Sequence, residues 1–193
     1  MAMQNKKIAI FGFGKEGQSL LTFLRKNKEY RNAKICVCDR NKNLDVKRTT
    51  DIEWRLGKNY LKNLDRFDLI FRSPGIPYFS EEIQRAKRHG IPISSATKLF
   101  FSLMPRDKII GVTGSKGKST TSTLLSKILK KAGFRVVLAG NVGTPMLDVI
   151  KTAQNADYII LELSSFQLQD LTISPRIAVV LDIFPEHLDH HKS

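Results

Sequence analysis

Eight short apolar runs punctuate the chain, at residues 7–11, 34–38, 67–71, 91–93, 108–113, 135–139, 157–163 and 177–182. Most are continuous rather than alternating, the pattern of strands buried on both faces of a parallel sheet. Helical periodicity fills many of the intervals. In 118–132, Thr121, Leu124, Leu125, Ile128 and Leu129 recur at i, i+3, i+4, i+7 and i+8, which predicts one apolar face, and Gly133 stands where the helix should stop. In 17–29, Leu20, Leu21 and Leu24 make a shorter stripe. Segment 80–89 opens at Ser80 with Glu81 and Glu82 in its first turn, and Gly90 follows it.

Strands alternating with helices predict an α/β fold with parallel sheets. Two such units are expected, one over residues 1–95 and a second over 96–193, which starts afresh near Lys108. Residues 97–106 read as a short connecting helix closed by Pro105. The second unit shows four strands and then a polar, His-rich turn with no closing helix, so the chain is expected to be a fragment of something longer. The longest apolar runs fall far below the ~20 residues that span a bilayer, and no secretory signal is visible, which makes a cytosolic location the default and membrane insertion unexpected.

Charge narrows the partners only in part. The 193 residues carry 32 Lys and Arg against 18 Asp and Glu, a net +14. The excess is spread over both units, with no basic tail. It favours anionic partners, whether nucleic acid, an acidic surface or phosphorylated small molecules. No aromatic-studded basic motif supports nucleic acid, and Lys127, Lys130 and Lys131 read as the solvated side of a helix. The two cysteines, Cys36 and Cys38, stand two apart in an apolar run. They should share one face of a strand as reduced, buried thiols.

Four motifs carry chemistry. Gly12-Phe13-Gly14-Lys15-Glu16-Gly17 follows the first strand and opens a helix, the setting in which glycines let a diphosphate approach helix N–H groups. Asp39, 22 residues beyond Gly17, ends the second strand, where a carboxylate can bind a ribose hydroxyl. This motif alone leaves the nucleotide open, and a tight turn without ligand is its plainer reading. A stronger signal is Thr113-Gly114-Ser115-Lys116-Gly117-Lys118-Ser119-Thr120, between a strand and a helix. It supplies exposed backbone N–H groups, a lysine for the β/γ-phosphates and a hydroxyl for Mg²⁺. Val112 takes the place of the usual first glycine, so this is a shortened phosphate loop. Glu162 ends the strand Tyr158–Glu162, where a metal-facing acid belongs beside Ser119; the plain alternative is a strand-end carboxylate facing solvent. Asp182 to His191 then gathers three histidines and three acids, of which His187 is the candidate ligand and His190 and His191 read as surface. The fold class is therefore a Rossmann-like parallel-sheet domain followed by the start of a P-loop-type α/β ATPase domain.

Together these segments resemble the Mur ligases of bacterial peptidoglycan synthesis. The resemblance is carried by Thr113–Ser119, by Gly140-Asn141-Val142-Gly143, by the run Leu161-Glu162-Leu163-Ser164-Ser165-Phe166-Gln167-Leu168, and by His187-Leu188-Asp189. Ser73-Pro74-Gly75 fits the D-glutamate-adding member. The resemblance implies an ATP-dependent amide ligase that joins D-glutamate to UDP-N-acetylmuramoyl-L-alanine through an acyl phosphate, with ATP and Mg²⁺ required and a monomer as the full-length state. Residues 1–95 would bind the UDP part through Gly12, Gly14, Lys15, Glu16, Gly17, Asp39, Arg40, Ser73, Pro74 and Gly75. Residues 96–193 would begin the central ATP-binding domain, with Gly114 to Thr120 on the nucleotide. Lys118 would steady the transferring phosphoryl group, Ser119 and Glu162 would hold one Mg²⁺, and His187 would help hold a second. Asn141 and Gln167 would contact the muramoyl substrate.

The chain departs from the family pattern at Asp182, Glu186, Arg40 and Asn41. It is also less than half the family's length, so no turnover is expected from it alone. The alternative reading is a non-catalytic nucleotide-binding module or a truncated relic of such a ligase. A Rossmann-type dehydrogenase leaves the second phosphate loop unexplained.

Overall fold

The computed structural model describes residues 5–46, 48–141 and 143–188. Val142, Asp189, His190 and His191, named above, lie outside the described residues. The chain divides into two compact units, residues 1–96 and 97–193.

The first unit runs β1 (Lys7–Phe11), α1 (Lys15–Lys26), β2 (Lys34–Asp39), β3 (Ile52–Leu56), β4 (Leu69–Arg72), α2 (Glu81–Arg88) and β5 (Ile93–Ser94). Its sheet has the order β3-β2-β1-β4-β5, with every pairing parallel. Ile8 stands opposite both Ile35 and Leu69, so β1 is central, and Ile8 to Phe11 are wholly buried. Strand order reverses about β1, which makes the carboxyl ends of β1, β2 and β4 the rim of a crevice. Strand β3 was not among the predicted runs. Its residues Ile52-Glu53-Trp54-Arg55-Leu56 mix polar and apolar positions because it is an edge strand, paired among the described residues with β2 alone. Phe67, expected in the strand at 67–71, packs in the core just after a 3-10 turn at Leu64–Arg66, so β4 starts at Leu69.

Cys36 and Cys38 share a face of β2, buried, reduced and with their sulfurs 3.6 Å apart. That hydrogen bond holds the Cys36 thiol below its ordinary pKa. The same bond and burial push the Cys38 thiol up.

The second unit runs α3 (Ala96–Leu103), β6 (Ile109–Thr113), α4 (Lys118–Lys131), β7 (Val136–Gly140), α5 (Ile150–Gln154), β8 (Tyr158–Glu162), α6 (Ser165–Leu168) and β9 (Ile177–Val180). Its sheet has the order β7-β8-β6-β9, again all parallel. Helix α4 corrects the predicted apolar face. Leu125 and Leu129 pack on Ile110, Val112 and Ile160, but Leu124 and Ile128 are more than half exposed. Ser122 and Ser126 are buried instead. Small side chains on the contact line let the helix lie close to the sheet, and the Ser122 hydroxyl donates to Ser119 O at 3.3 Å. Strand β9 also departs from expectation: Ile177 and Val180 are exposed, because β9 is the edge of the sheet and its continuous apolar run is not covered on both faces. Among the described residues, no helix is long and apolar enough to cross a membrane.

Candidate functional site

In the first unit, the glycine turn and the Ser73 loop meet. Ser73 Oγ donates to Gly12 O at 2.9 Å, and Ser73 N donates to Phe11 O at 2.8 Å. Gly17 packs the start of α1 onto the same turn: a Cβ there would sit 2.2 Å from Gly12 O. Only glycine permits that approach. Asp39, read as a ribose ligand, accepts Phe13 N at 2.7 Å through Oδ2 and Asn41 N at 2.7 Å through Oδ1. It therefore braces the turn. Gly14, Lys15, Arg40 and Gly75 are exposed around it, with Glu16 and Pro74 half-buried.

Two residues of this rim escaped the sequence reading. Arg72, the last residue of β4, is among the largest fully buried side chains. Its Nη1 donates to Ile76 O at 2.7 Å, and its guanidinium lies 5.3 Å from the Tyr78 ring centre, so it shapes the Ser73–Ile76 loop. Trp54, on the overlooked β3, meets Phe13 edge-on at 5.3 Å. The mixed pattern of β3 was the only signal that could have found it.

In the second unit, β6 feeds Thr113–Gly117 into the first turn of α4. Gly117 is left-handed at φ 79° and caps the helix, which starts at the carboxyl end of β6. The Lys118 ammonium donates to Gly114 O at 2.6 Å and Ser115 O at 2.9 Å. It is thus seated on the loop's own carbonyls. Lys116, Gly117, Ser119 and Thr120 are exposed.

Glu162 ends β8 beside Val112 of β6 and Gly140 of β7. It does not face solvent: it is 1% exposed. Oε1 accepts Asn141 Nδ2 at 3.0 Å, and Oε2 is buried with no hydrogen-bond partner among the described residues. A buried carboxylate oxygen in that state fits a cation. With the Ser119 hydroxyl on the neighbouring helix start, the donors are hard oxygens of the kind Mg²⁺ takes. No group of three or more His, Cys, Asp or Glu side chains gathers among the described residues.

A cavity of about 600 Å³ opens over this edge. It brings together Gly114, Ser115, Lys118, Asn141, Phe166 and His187. His187 has φ 55°, and its ring lies 4.9 Å from that of Phe166. An imidazole suits Mg²⁺ less well than oxygen donors do. Gln167 is not on the cavity wall: it is buried, and its Oε1 accepts Ser164 N at 2.9 Å while Gln167 N donates to Ser164 Oγ at 3.3 Å, a capping box that starts α6. Phe166 and Phe184 line the cavity but were not singled out, since apolar side chains in a loop carry no distinctive spacing.

Comparison with known proteins fits this arrangement. Residues 6–95 match the Mur ligase MurD-like N-terminal domain, and residues 112–193 match the Mur ligase middle domain. The chain is 42% identical to UDP-N-acetylmuramoylalanine--D-glutamate ligase of Acetivibrio thermocellus, over 99% of this chain and 41% of the relative. It is 38% identical to the protein of that name from Clostridium acetobutylicum, over 99% and 42%. The chain therefore spans about two fifths of the length of these relatives. Among solved structures, UDP-N-acetylmuramate:L-alanyl-gamma-D-glutamyl-meso-diaminopimelate ligase from Neisseria meningitides is similar in fold, with a TM-score of 0.52 at 19% identity over 96% of this chain and 63% of that one. The chain belongs to the Mur ligase family, with a MurD-like N-terminal domain followed by middle-domain sequence.

Proposed function

We propose that the protein this chain belongs to is an ATP-dependent ligase that joins D-glutamate to UDP-N-acetylmuramoyl-L-alanine in the cytoplasm. The observation that carries this reading is the pairing of a phosphate loop with a buried, half-satisfied carboxylate on the adjacent parallel strand, Glu162 beside Val112. The relatives' name supplies the substrates.

In this reading residues 1–95 hold the UDP part at the crevice framed by Gly12–Gly17 and Ser73–Gly75, and the second unit holds ATP. A substrate carboxylate oxygen attacks the γ-phosphorus, and the bond to ADP breaks. The D-glutamate nitrogen then attacks the acyl carbon; inorganic phosphate leaves and the amine gives up a proton. Every species on this path is anionic, so cationic stabilisation dominates the chemistry. Lys118 leaves the carbonyls of Gly114 and Ser115 for the phosphates. Ser119 and Glu162 hold Mg²⁺, which neutralises phosphate charge when bound. Asn141 keeps Glu162 aimed. His187 borders the acyl phosphate, where a second ion is expected. Gln167 serves the substrate side through the turn that its capping box fixes.

Calorimetry on the full-length protein tests the first unit. UDP-N-acetylmuramoyl-L-alanine should bind and NADH should not; tighter binding of NADH would sink the ligase reading. Phosphate release from MgATP should require both that substrate and D-glutamate.

A further inference from the structure

Segment 182–188, which follows β9, carries Glu186 and His187 across the cavity mouth. It has no helix or strand of its own, and its apolar side chains are not buried: Ile183 is 75% exposed and Phe184 52%. Apart from the His187 ring, 4.9 Å from that of Phe166, it is held by hydrogen bonds to the phosphate loop. Leu181 N donates to Thr113 O at 2.9 Å, and Ser115 N donates to Asp182 O at 2.8 Å. The Ser115 hydroxyl then bonds one peptide residue twice: Oγ donates to Phe184 O at 3.1 Å and accepts Phe184 N at 2.9 Å. The contact leaves no room at the neighbouring residue, where a Cβ on Gly114 would lie 2.7 Å from Leu181 Cβ.

From this geometry we infer that Ser115 is a positioning residue, whose hydroxyl anchors the 182–188 strap and so sets where Glu186 and His187 stand. This rests on the ligase reading for its chemistry and assigns Ser115 a role distinct from holding nucleotide. The anchor and the nucleotide site share atoms. The Ser115 carbonyl accepts the Lys118 ammonium, and the Ser115 N–H is already given to the strap. A phosphate that draws Lys118 away changes the loop to which the strap is tied. Nucleotide arrival and strap position are thereby coupled through one residue. Serine and threonine satisfy the requirement, a hydroxyl that donates and accepts at once; alanine does not.

The test uses the full-length protein with Ser115→Ala and Ser115→Thr. Hydrogen-exchange mass spectrometry without nucleotide should show the Phe184 amide of S115A exchanging about two- to tenfold faster, the worth of one hydrogen bond, with S115T like the parent. Steady-state kinetics should show kcat falling about ten- to a hundredfold in S115A, with KM for ATP changing much less, since misplacement of a group across the site acts on the transition state. S115T should recover most of kcat. Unchanged Phe184 exchange in S115A, an unchanged kcat, or a loss in S115T equal to that in S115A overturns the inference. If the protein shows no ATP-dependent turnover at all, the ligase reading fails, and the exchange measurement, which needs no ligand, alone decides the anchor.

Discussion

Asn141 holds Glu162 twice: its side-chain amide donates to Oε1 at 3.0 Å, and its backbone N–H donates to the Glu162 carbonyl at 2.9 Å. One carboxylate oxygen is thereby fixed and the other left buried without a partner among the described residues. An uncompensated buried charge is costly to the fold, so its presence at a strand end points to a ligand that completes it.

Glu162→Gln separates that cost from its use. The amide keeps the bond to Asn141 and removes the charge. The metal-free thermal midpoint should stay level or rise, while Mg²⁺-dependent turnover of the full-length protein collapses. A lower midpoint with intact turnover would show that the carboxylate is structural.

Lys118→Ala should remove most ATP affinity in the full-length protein, by about 2–5 kcal/mol, the scale of truncating one partner of a close charge pair. UDP-substrate binding should be unaffected. Calorimetry with each ligand reads both, and ATP binding unchanged within error would mean that the loop is only a turn.

Gly17→Ala places a methyl group 2.2 Å from the carbonyl oxygen of Gly12, where backbone and not a flexible side chain must yield. The expected cost is about 1–3 kcal/mol of stability in the first unit. UDP-substrate affinity should fall with it, while ATP binding persists. A variant as stable as its parent would show that the turn relaxes freely.

Asp157 tests the far edge of the second unit. The Arg135 guanidinium bonds it at 2.6 Å and 3.2 Å and the Arg135 N–H at 2.8 Å, and these bonds hold its pKa at about 2 rather than 3.8. The folded state then binds this proton less readily than the unfolded one. Its contribution is complete above about pH 4 and drains away as pH falls through about 2. Thermal midpoints of the parent and Asp157→Asn should differ slightly at neutral pH, as befits an exposed pair, and converge across that window. A gap that stays undiminished as pH falls below about 2 would rule out the ion pair as its source.

Residue type and spacing alone determined the alternation of buried strands with helices, the two parallel-sheet units, the glycine turn after β1 and the glycine- and lysine-bearing loop after β6. Each depends on local causes: continuous apolar runs, glycines where backbones must approach, and a lysine and a hydroxyl side by side at Lys118 and Ser119. Edge strand β3 and the true inner face of α4 were not legible, because burial there depends on which neighbour covers which side. Leu124 and Ile128 satisfy helical periodicity yet meet solvent, and Ser122 and Ser126 take the contact line. The roles of polar residues were likewise decided in three dimensions. Asp39 spends its oxygens on backbone N–H groups, Gln167 on a capping box, and Ser115 on a strap 69 residues away. A side chain's partners are set by what the packed elements bring within about 3 Å, and no spacing along the chain encodes that distance.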